Sequence, residues 1–129
     1  MRWTYSCPYC RAMLNPDEAI VLVAECGSTR TLIGLNPEPG SYQSYLPPGI
    51  VASPGSRWTF SCPLCSASLT TRASDDLCEV DMHSEGHTHR VLFSRVAGEH
   101  ATFVISEEGR VEHYGEHAPR HSLEMLELL

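Results

Sequence analysis

Two Cys-Pro-x-Cys pairs constrain this chain more than any other feature. Cys7 and Cys10 form the first pair, in the sequence CPYC, and Cys62 and Cys65 form the second, in CPLC. A two-residue gap lets both sulfurs of a pair point to one side of a tight turn, and the proline stiffens that turn by fixing its own φ. Two such pairs in one short chain supply four thiolates, the usual ligand set of a structural Zn²⁺. We therefore predict that these four cysteines bind one structural zinc ion.

The pairs belong to a longer internal repeat. Residues 2–14 align with residues 57–69, and nine of the 13 aligned positions are identical, while Tyr5 and Phe60 differ conservatively. Each copy predicts a strand that carries an aromatic residue into the turn, followed by two metal ligands and then a small and an apolar residue. Two such half-sites around one ion would make a four-thiolate site with a local pseudo-two-fold axis.

The two pairs, each led by an aromatic strand, resemble the knuckles of zinc-ribbon proteins. The whole chain, including residues 91–100, is also similar to small uncharacterised bacterial proteins with two CPxC knuckles. The ribbon resemblance covers the knuckles and their flanks, and it implies metal binding without implying a particular task. Two departures are visible: the knuckles are separated by 51 residues (11–61), and neither is followed by the glycine common in rubredoxin-like iron sites. The second departure argues against electron transfer.

The other two cysteines leave alternatives open. Cys78 follows the second pair closely enough for Cys62, Cys65, Cys78 and His83 to have the spacing of a separate metal site. The alternation of residues 77–82 instead places Cys78 on an apolar strand face as a small hydrophobe, and Cys26 lies at a predicted strand end. A thiol–disulfide role would require a following helix, which neither pair has. One shared site is the interpretation we favour.

The rest of the chain predicts β-structure. Residues 19–24 are an apolar run typical of a buried strand, and residues 29–35 are its predicted hairpin partner. Further strands are predicted at 77–82, 88–95, 101–106 and 110–114, joined by turns with hairpin chemistry. We expect a mainly β fold, in which a zinc-ribbon-like pair of knuckles is joined to a small antiparallel meander, with a short C-terminal helix.

We expect one zinc-clamped domain over residues 1–129. The first knuckle and its hairpin occupy residues 1–35, and a Pro/Gly-rich loop follows at 36–56. The second knuckle and the meander occupy 57–114, and a tail occupies 115–129. The prolines of the loop exclude regular strand pairing, and its tyrosines are expected to pin it across the sheet; the alternative is a recognition loop. The tail contains an apolar helix candidate at 121–129, which must dock on its own domain or on a second subunit.

Histidines are concentrated in the second half. His83, His87 and His89 surround a predicted hairpin and would allow a second ion, and with it a metal-dependent enzyme or an accessory subunit of one. Solvent-facing imidazoles are the simpler interpretation. No phosphate-binding loop, nucleophile elbow or His-Glu-x-x-His motif is present in the sequence.

The net charge of −7 argues against a protein that neutralises many phosphates. Nucleic-acid binding stays an alternative because several arginines flank the knuckles near two tryptophans: Arg2, Arg11, Arg57 and Arg72, beside Trp3 and Trp58. No apolar run is long enough for a membrane span, and no signal peptide precedes the first pair, so we expect a cytoplasmic protein. Our functional hypothesis is a structural-zinc protein that serves as an interaction adaptor or accessory subunit, with another protein or a second copy as its partner.

Overall fold

The computed structural model of the chain describes residues 3–72 and 74–121. Its elements are the strands β1 (Thr4–Ser6), β2 (Ile20–Cys26), β3 (Thr29–Leu35), β4 (Ser44–Tyr45), β5 (Thr59–Ser61), β6 (Leu77–Ser84), β7 (His87–Ser94), β8 (Thr102–Ile105) and β9 (Val111–Tyr114), and the 3₁₀ turn Ala118–His121. In this part of the chain, no helix has the length and apolar character needed to cross a bilayer. The prediction of a mainly β fold is confirmed. The predicted C-terminal helix lies outside the described residues, except for His121, which ends the 3₁₀ turn.

The strands form two antiparallel sheets. The larger sheet has the order β1-β6-β7-β8-β9, and the smaller sheet has the order β4-β3-β2-β5. Two long hairpins, β2–β3 and β6–β7, form the middle of the sheets. The turn of the second hairpin is at Glu85 and Gly86, which both have positive φ, as a tight two-residue hairpin requires. The predicted hairpin partner at 29–35 and the predicted meander are both present.

The two knuckle strands exchange partners between the halves of the chain. β1 pairs with β6, which places Tyr5 opposite Met82, and β5 pairs with β2, which places Phe60 opposite Ala24. Each half therefore contributes its first strand to the sheet that is mostly built by the other half. This exchange was not predicted, because the repeat identifies two equivalent strands without showing which sheet each one joins.

The main core lies between the two sheets. Its fully or almost fully buried members come from both: Tyr5, Val80, Met82 and Val91 from the larger sheet, and Ile20, Leu22, Ala24, Ile33 and Phe60 from the smaller one. The rings of Phe60 and Phe93 are 5.8 Å apart between centroids. Cys78 is buried in this core beside Val80, as the strand alternation predicted.

A smaller cluster covers the opposite face of the larger sheet. It consists of Leu77, Leu92, Ala101, Phe103, Ile105 and Ala118. Consecutive residues alternate between the two cores, since Val91 belongs to the first and Leu92 to the second. Strand β8 is buried at every position because each of its faces also packs against one of the two cores.

The loop at 36–56 is pinned to the larger sheet by Tyr42. Its ring stacks on the imidazole of His100 at 4.3 Å, and its hydroxyl is 3.0 Å from Oγ1 of Thr102. The anchoring role predicted for the loop tyrosines is therefore found at Tyr42. Tyr45 instead lies in the two-residue strand β4, opposite Gly34, where the sequence indicated irregular structure.

Gly115 is the glycine that this packing requires most strictly. Its φ is +94°, and a Cβ added there would lie 2.2 Å from the carbonyl oxygen of His100 and 2.5 Å from the Tyr42 hydroxyl. We predict that Gly115→Ala lowers the free energy of unfolding by about 3 kcal/mol or more, because backbone strain and a clash with backbone combine. Denaturant unfolding measures this loss.

Gly109→Ala is the matched control. Gly109 has a φ of +87°, and nothing lies within 4 Å of its added Cβ. That variant should show the backbone strain alone, a loss of about 1–2 kcal/mol. Equal losses for the two variants would contradict the close packing described for Gly115.

Candidate metal centre

The two knuckles have the same backbone structure. The Cys7 N–H donates to the carbonyl of Ala12 at 3.0 Å, and the Cys62 N–H donates to that of Ala67 at 3.0 Å. The residues after the second cysteines, Arg11 and Ser66, adopt left-handed φ values of 67° and 65°. The left-handed conformation that glycine usually supplies is thus present in both turns without a glycine. The sequence repeat is therefore a repeat of local structure.

The knuckles bring four sulfur atoms together. All four Sγ atoms lie within 4.8 Å of one another, with Cys7 and Cys65 at 3.8 Å and Cys10 and Cys62 at 3.7 Å. Four sulfurs arranged tetrahedrally at about 2.3 Å from an ion lie about 3.8 Å from each other. The four cysteines are thus positioned to bind one metal ion. A set of four thiolates fills a tetrahedral ion and leaves no position for a substrate.

Backbone N–H groups stabilise the thiolate form of two of the sulfurs. The Tyr9 N–H donates to Sγ of Cys7 at 3.4 Å, and the Leu64 N–H donates to Sγ of Cys62 at 3.4 Å. Burial acts to raise the pKa of the Cys62 thiol, but N–H donors of Cys65 and Leu64 and the neighbouring thiols lower this pKa to about 7. Burial raises the pKa of Cys7 to about 12. The N–H donors therefore favour the thiolate form of Cys62, and a bound cation would favour ionisation of the other sulfurs as well.

The site joins the two sheets. Cys7 and Cys10 follow β1 of the larger sheet, whereas Cys62 and Cys65 follow β5 of the smaller sheet. Cys7 and Cys62 are buried, and Cys10 and Cys65 face the surface. An ion held by all four would connect the sheets at one end of the core.

Two supporting residues were missed by the sequence analysis. Asn15, fully buried, accepts a hydrogen bond from the Tyr5 N–H and donates one to the carbonyl of Trp3, both at 2.8 Å, which ties the first knuckle to its strand. The guanidinium of Arg95 donates to the carbonyl of Trp58 at 2.8 Å and so connects the end of β7 to the approach to β5. Asn15 lies directly after the repeat, and that position was the only sequence signal for its role.

The structure does not support two separate metal sites or a histidine site. Within residues 3–72 and 74–121, the four-cysteine group is the one group of three or more potential ligands close enough to hold an ion. Burial raises the pKa of the Cys78 thiol to about 12, and Cys26 ends β2. His83 is hydrogen bonded to the hydroxyls of Ser6 and Thr88, at 2.9 and 3.0 Å.

The structure also gives less support to nucleic-acid binding through a basic patch than the sequence did, because two residues of the patch are engaged elsewhere. Trp58 is only 5% exposed and donates its indole N–H to Ser56, so its ring face is not available for base stacking. Arg57 forms a 2.8 Å ion pair with Asp76. Arg2 lies outside the described residues.

A scan against protein-family models finds no match, and searches of curated proteins and of solved structures find none either. The geometry of the four-cysteine group is therefore the basis on which a function can be assigned to this chain.

We predict opposite outcomes for substitution of Cys7 and of Cys78. Cys7→Ser removes a sulfur from the four-cysteine group and should abolish both metal retention and cooperative folding, because metal binding to such a site contributes about 10–16 kcal/mol to folding. Elemental analysis of the purified protein, together with circular dichroism, measures both effects.

Cys78→Ser is the matched control, since it places the same substitution at an equally buried thiol outside the group. It should cost about 1–3 kcal/mol of stability through burial of a hydroxyl, and the metal should stay bound. Loss of metal in the Cys78 variant, or its retention in the Cys7 variant, would show that the ligand set is wrong.

Proposed function

We propose that this is a structural-zinc protein in which Cys7, Cys10, Cys62 and Cys65 hold one Zn²⁺. Thiolates are the ligands that zinc takes in structural sites, and the 3.7–3.8 Å sulfur separations fit its bond lengths. Because four thiolates close the coordination shell, the ion acts as a clamp and not as a catalyst. In this proposal residues 1–129 form one zinc-clamped domain that works in a reducing compartment, the cytoplasm, where thiols persist.

We further propose that the protein binds another protein through the tips of its two knuckles, as an adaptor or accessory subunit. The observation that carries this is the exposure of large apolar side chains beside the metal centre. Tyr9 and Leu64 occupy the same position of the two CPxC motifs and are 55% and 72% exposed, and Met13, at the return of the first knuckle, is 52% exposed. Apolar surface of this kind on a rigid element is typical of an interaction site.

The metal centre explains why the knuckle tips are rigid. The turns that carry Tyr9 and Leu64 are fixed by the N–H···S hydrogen bonds of those same residues. An aromatic and an aliphatic side chain held in this way lose little conformational entropy when a partner covers them. The net charge of −7 favours a partner surface with a basic rim around an apolar centre.

We predict that Tyr9→Ser combined with Leu64→Ser removes partner binding without affecting the fold. Both side chains are exposed, so the free energy of unfolding should change by less than about 0.5 kcal/mol, and zinc content should stay the same. Proteins captured by the wild type should be depleted about tenfold or more with the double variant. Quantitative affinity capture, followed by sedimentation analysis of each captured protein mixed with the purified chain, measures this.

Leu32→Ser combined with Val51→Ser is the control, since these residues are 54% and 78% exposed and belong to β3 and to the loop at 36–56, outside the two CPxC turns. It should retain the partners. Sedimentation of the chain alone tests self-association: a dimer that the tip variant dissociates would identify a second copy as the partner. Identical capture and identical mass for both double variants would overturn the proposed surface.

A further inference from the structure

A cavity of about 300 Å³ lies between the two sheets, and none of the four knuckle cysteines lines it. Protein interiors contain few voids larger than a water molecule, so a space of this size needs an explanation. The buried residues of its wall come from both sheets: Tyr5, Ile20, Ile33, Phe60, Val80 and Val91. The space is therefore part of the interior of the fold, and its inner wall is mainly apolar.

The cavity opens to solvent beside the loop at 36–56. The exposed residues of its lining are in that loop and in the turn after β7: Glu38, Gly40, Gln43, Ser44 and Gly98. Tyr42 holds the loop in place through its stacking on His100. An apolar interior that is open at one end is the usual form of a site for a small molecule.

The polar groups of the inner wall already have partners within the protein. The Tyr5 hydroxyl donates to the carbonyl of Pro37 at 2.6 Å, and the Trp58 indole N–H donates to Oγ of Ser56 at 3.0 Å. In the described part of the chain, Nδ1 of His89 is the one buried side-chain nitrogen or oxygen without a hydrogen bond, and His89 does not line the cavity. The wall therefore requires no hydrogen bond from a ligand.

The two acidic residues of the lining offer no buried countercharge. Both carboxylate oxygens of Glu99 are engaged, Oε1 with Nε2 of His121 and Oε2 with the Arg120 guanidinium. Glu38 is exposed to solvent. The sequence contains no lysine, and no arginine among the described residues lines the cavity. A charged ligand of either sign would therefore lose its hydration without gaining a free opposite charge.

Aromatic rings form much of the wall. They belong to Tyr5, Trp58, Phe60 and Phe93, and the rings of the last two are tilted by 53° with their centroids 5.8 Å apart. Such rings favour offset and edge-to-face contacts with a further aromatic ring. A flat ring system also loses less conformational entropy when it is buried than a flexible chain of similar size does. The wall therefore favours an aromatic ligand over an aliphatic one.

We propose that this cavity binds an uncharged, compact aromatic molecule, with its rings between the sheets and any hydroxyl substituent at the opening. An apolar cavity of about 150 Å³ holds a benzene molecule, so about twice that volume suits a ligand of about 10–14 non-hydrogen atoms. The proposal depends neither on the partner surface at the knuckle tips nor on the identity of the metal.

Four probes test the ligand class on the full chain. Three of them share a naphthalene ring system: 2-naphthylmethanol is neutral, 2-naphthylmethylamine is cationic and 2-naphthoate is anionic. The fourth, 1-octanol, is neutral but flexible. Isothermal titration calorimetry should give 2-naphthylmethanol a dissociation constant of about 100 µM or tighter. The other three probes should bind more weakly, the two ions by about tenfold or more.

Methyl NMR spectroscopy of the wild-type protein locates the binding site. Saturating 2-naphthylmethanol should shift the methyl resonances of Ile33 and Val91, which line the cavity, through the ring current of the naphthalene. Leu92 is the matched control, since it follows Val91 in β7 but packs in the cluster on the opposite face of the larger sheet. Its methyl resonances should stay in place.

A pair of neighbouring substitutions tests the same location. Ala52 lines the cavity, whereas Val51 is 78% exposed and does not. Ala52→Phe should weaken binding of 2-naphthylmethanol about tenfold or more, because the added ring takes up space that the ligand needs. Val51→Phe should leave the affinity unchanged. Circular dichroism verifies that both variants are folded.

The proposal is overturned if 2-naphthylmethanol does not bind at millimolar concentration, or if either ion or 1-octanol binds as tightly as it does. Equal methyl shifts at Val91 and Leu92, or unchanged affinity in folded Ala52→Phe, would also overturn it, since the probe would then bind elsewhere. If Ala52→Phe does not fold, the methyl shifts of the wild-type protein decide.

Discussion

The convergence of four cysteine sulfurs from two different sheets is the constraint on which the rest of the structure depends. The sulfurs lie 3.7 and 3.8 Å apart at turns whose outermost side chains, Tyr9 and Leu64, are exposed, so apolar burial does not hold the tips of the knuckles together. A structural zinc ion supplies about 10–16 kcal/mol in such a site. This is comparable with the whole net stability of a small domain, about 5–15 kcal/mol. If the four cysteines hold zinc as proposed, the fold depends on that ion.

The exchange of β1 and β5 between the halves of the chain allows the four-cysteine group to connect both sheets. Because β1 belongs to the larger sheet and β5 to the smaller, one ion bound at the ends of these strands would fix both sheets. Arg95 adds a second connection through its hydrogen bonds to Trp58 and Thr59. Tyr5 and Phe60, which lead into the two knuckles, belong to the main core. The strands that carry the four cysteines therefore also contribute to that core.

The features that could be predicted from the sequence are those set by local pattern. The CPxC spacing and the repeat indicated the sulfur cluster, and strand alternation placed Cys78 in the core and outside that cluster. The exchange of β1 and β5 depends on how two halves pack, which no local pattern records. The two-residue strand β4 is too short to have a periodicity. The role of Asn15 was hidden because an Asn-Pro sequence is equally typical of a simple turn.

The central claim is that one tetrahedral ion with four sulfur ligands joins the two sheets. X-ray absorption spectroscopy at the zinc edge of the purified wild-type protein tests it directly, since it counts ligand atoms and measures their distances. We expect one zinc per chain with four sulfur scatterers at about 2.3 Å and no nitrogen or oxygen bound to the ion. A histidine or water ligand on the ion, or metal-free protein with disulfide-bonded knuckles, would contradict it.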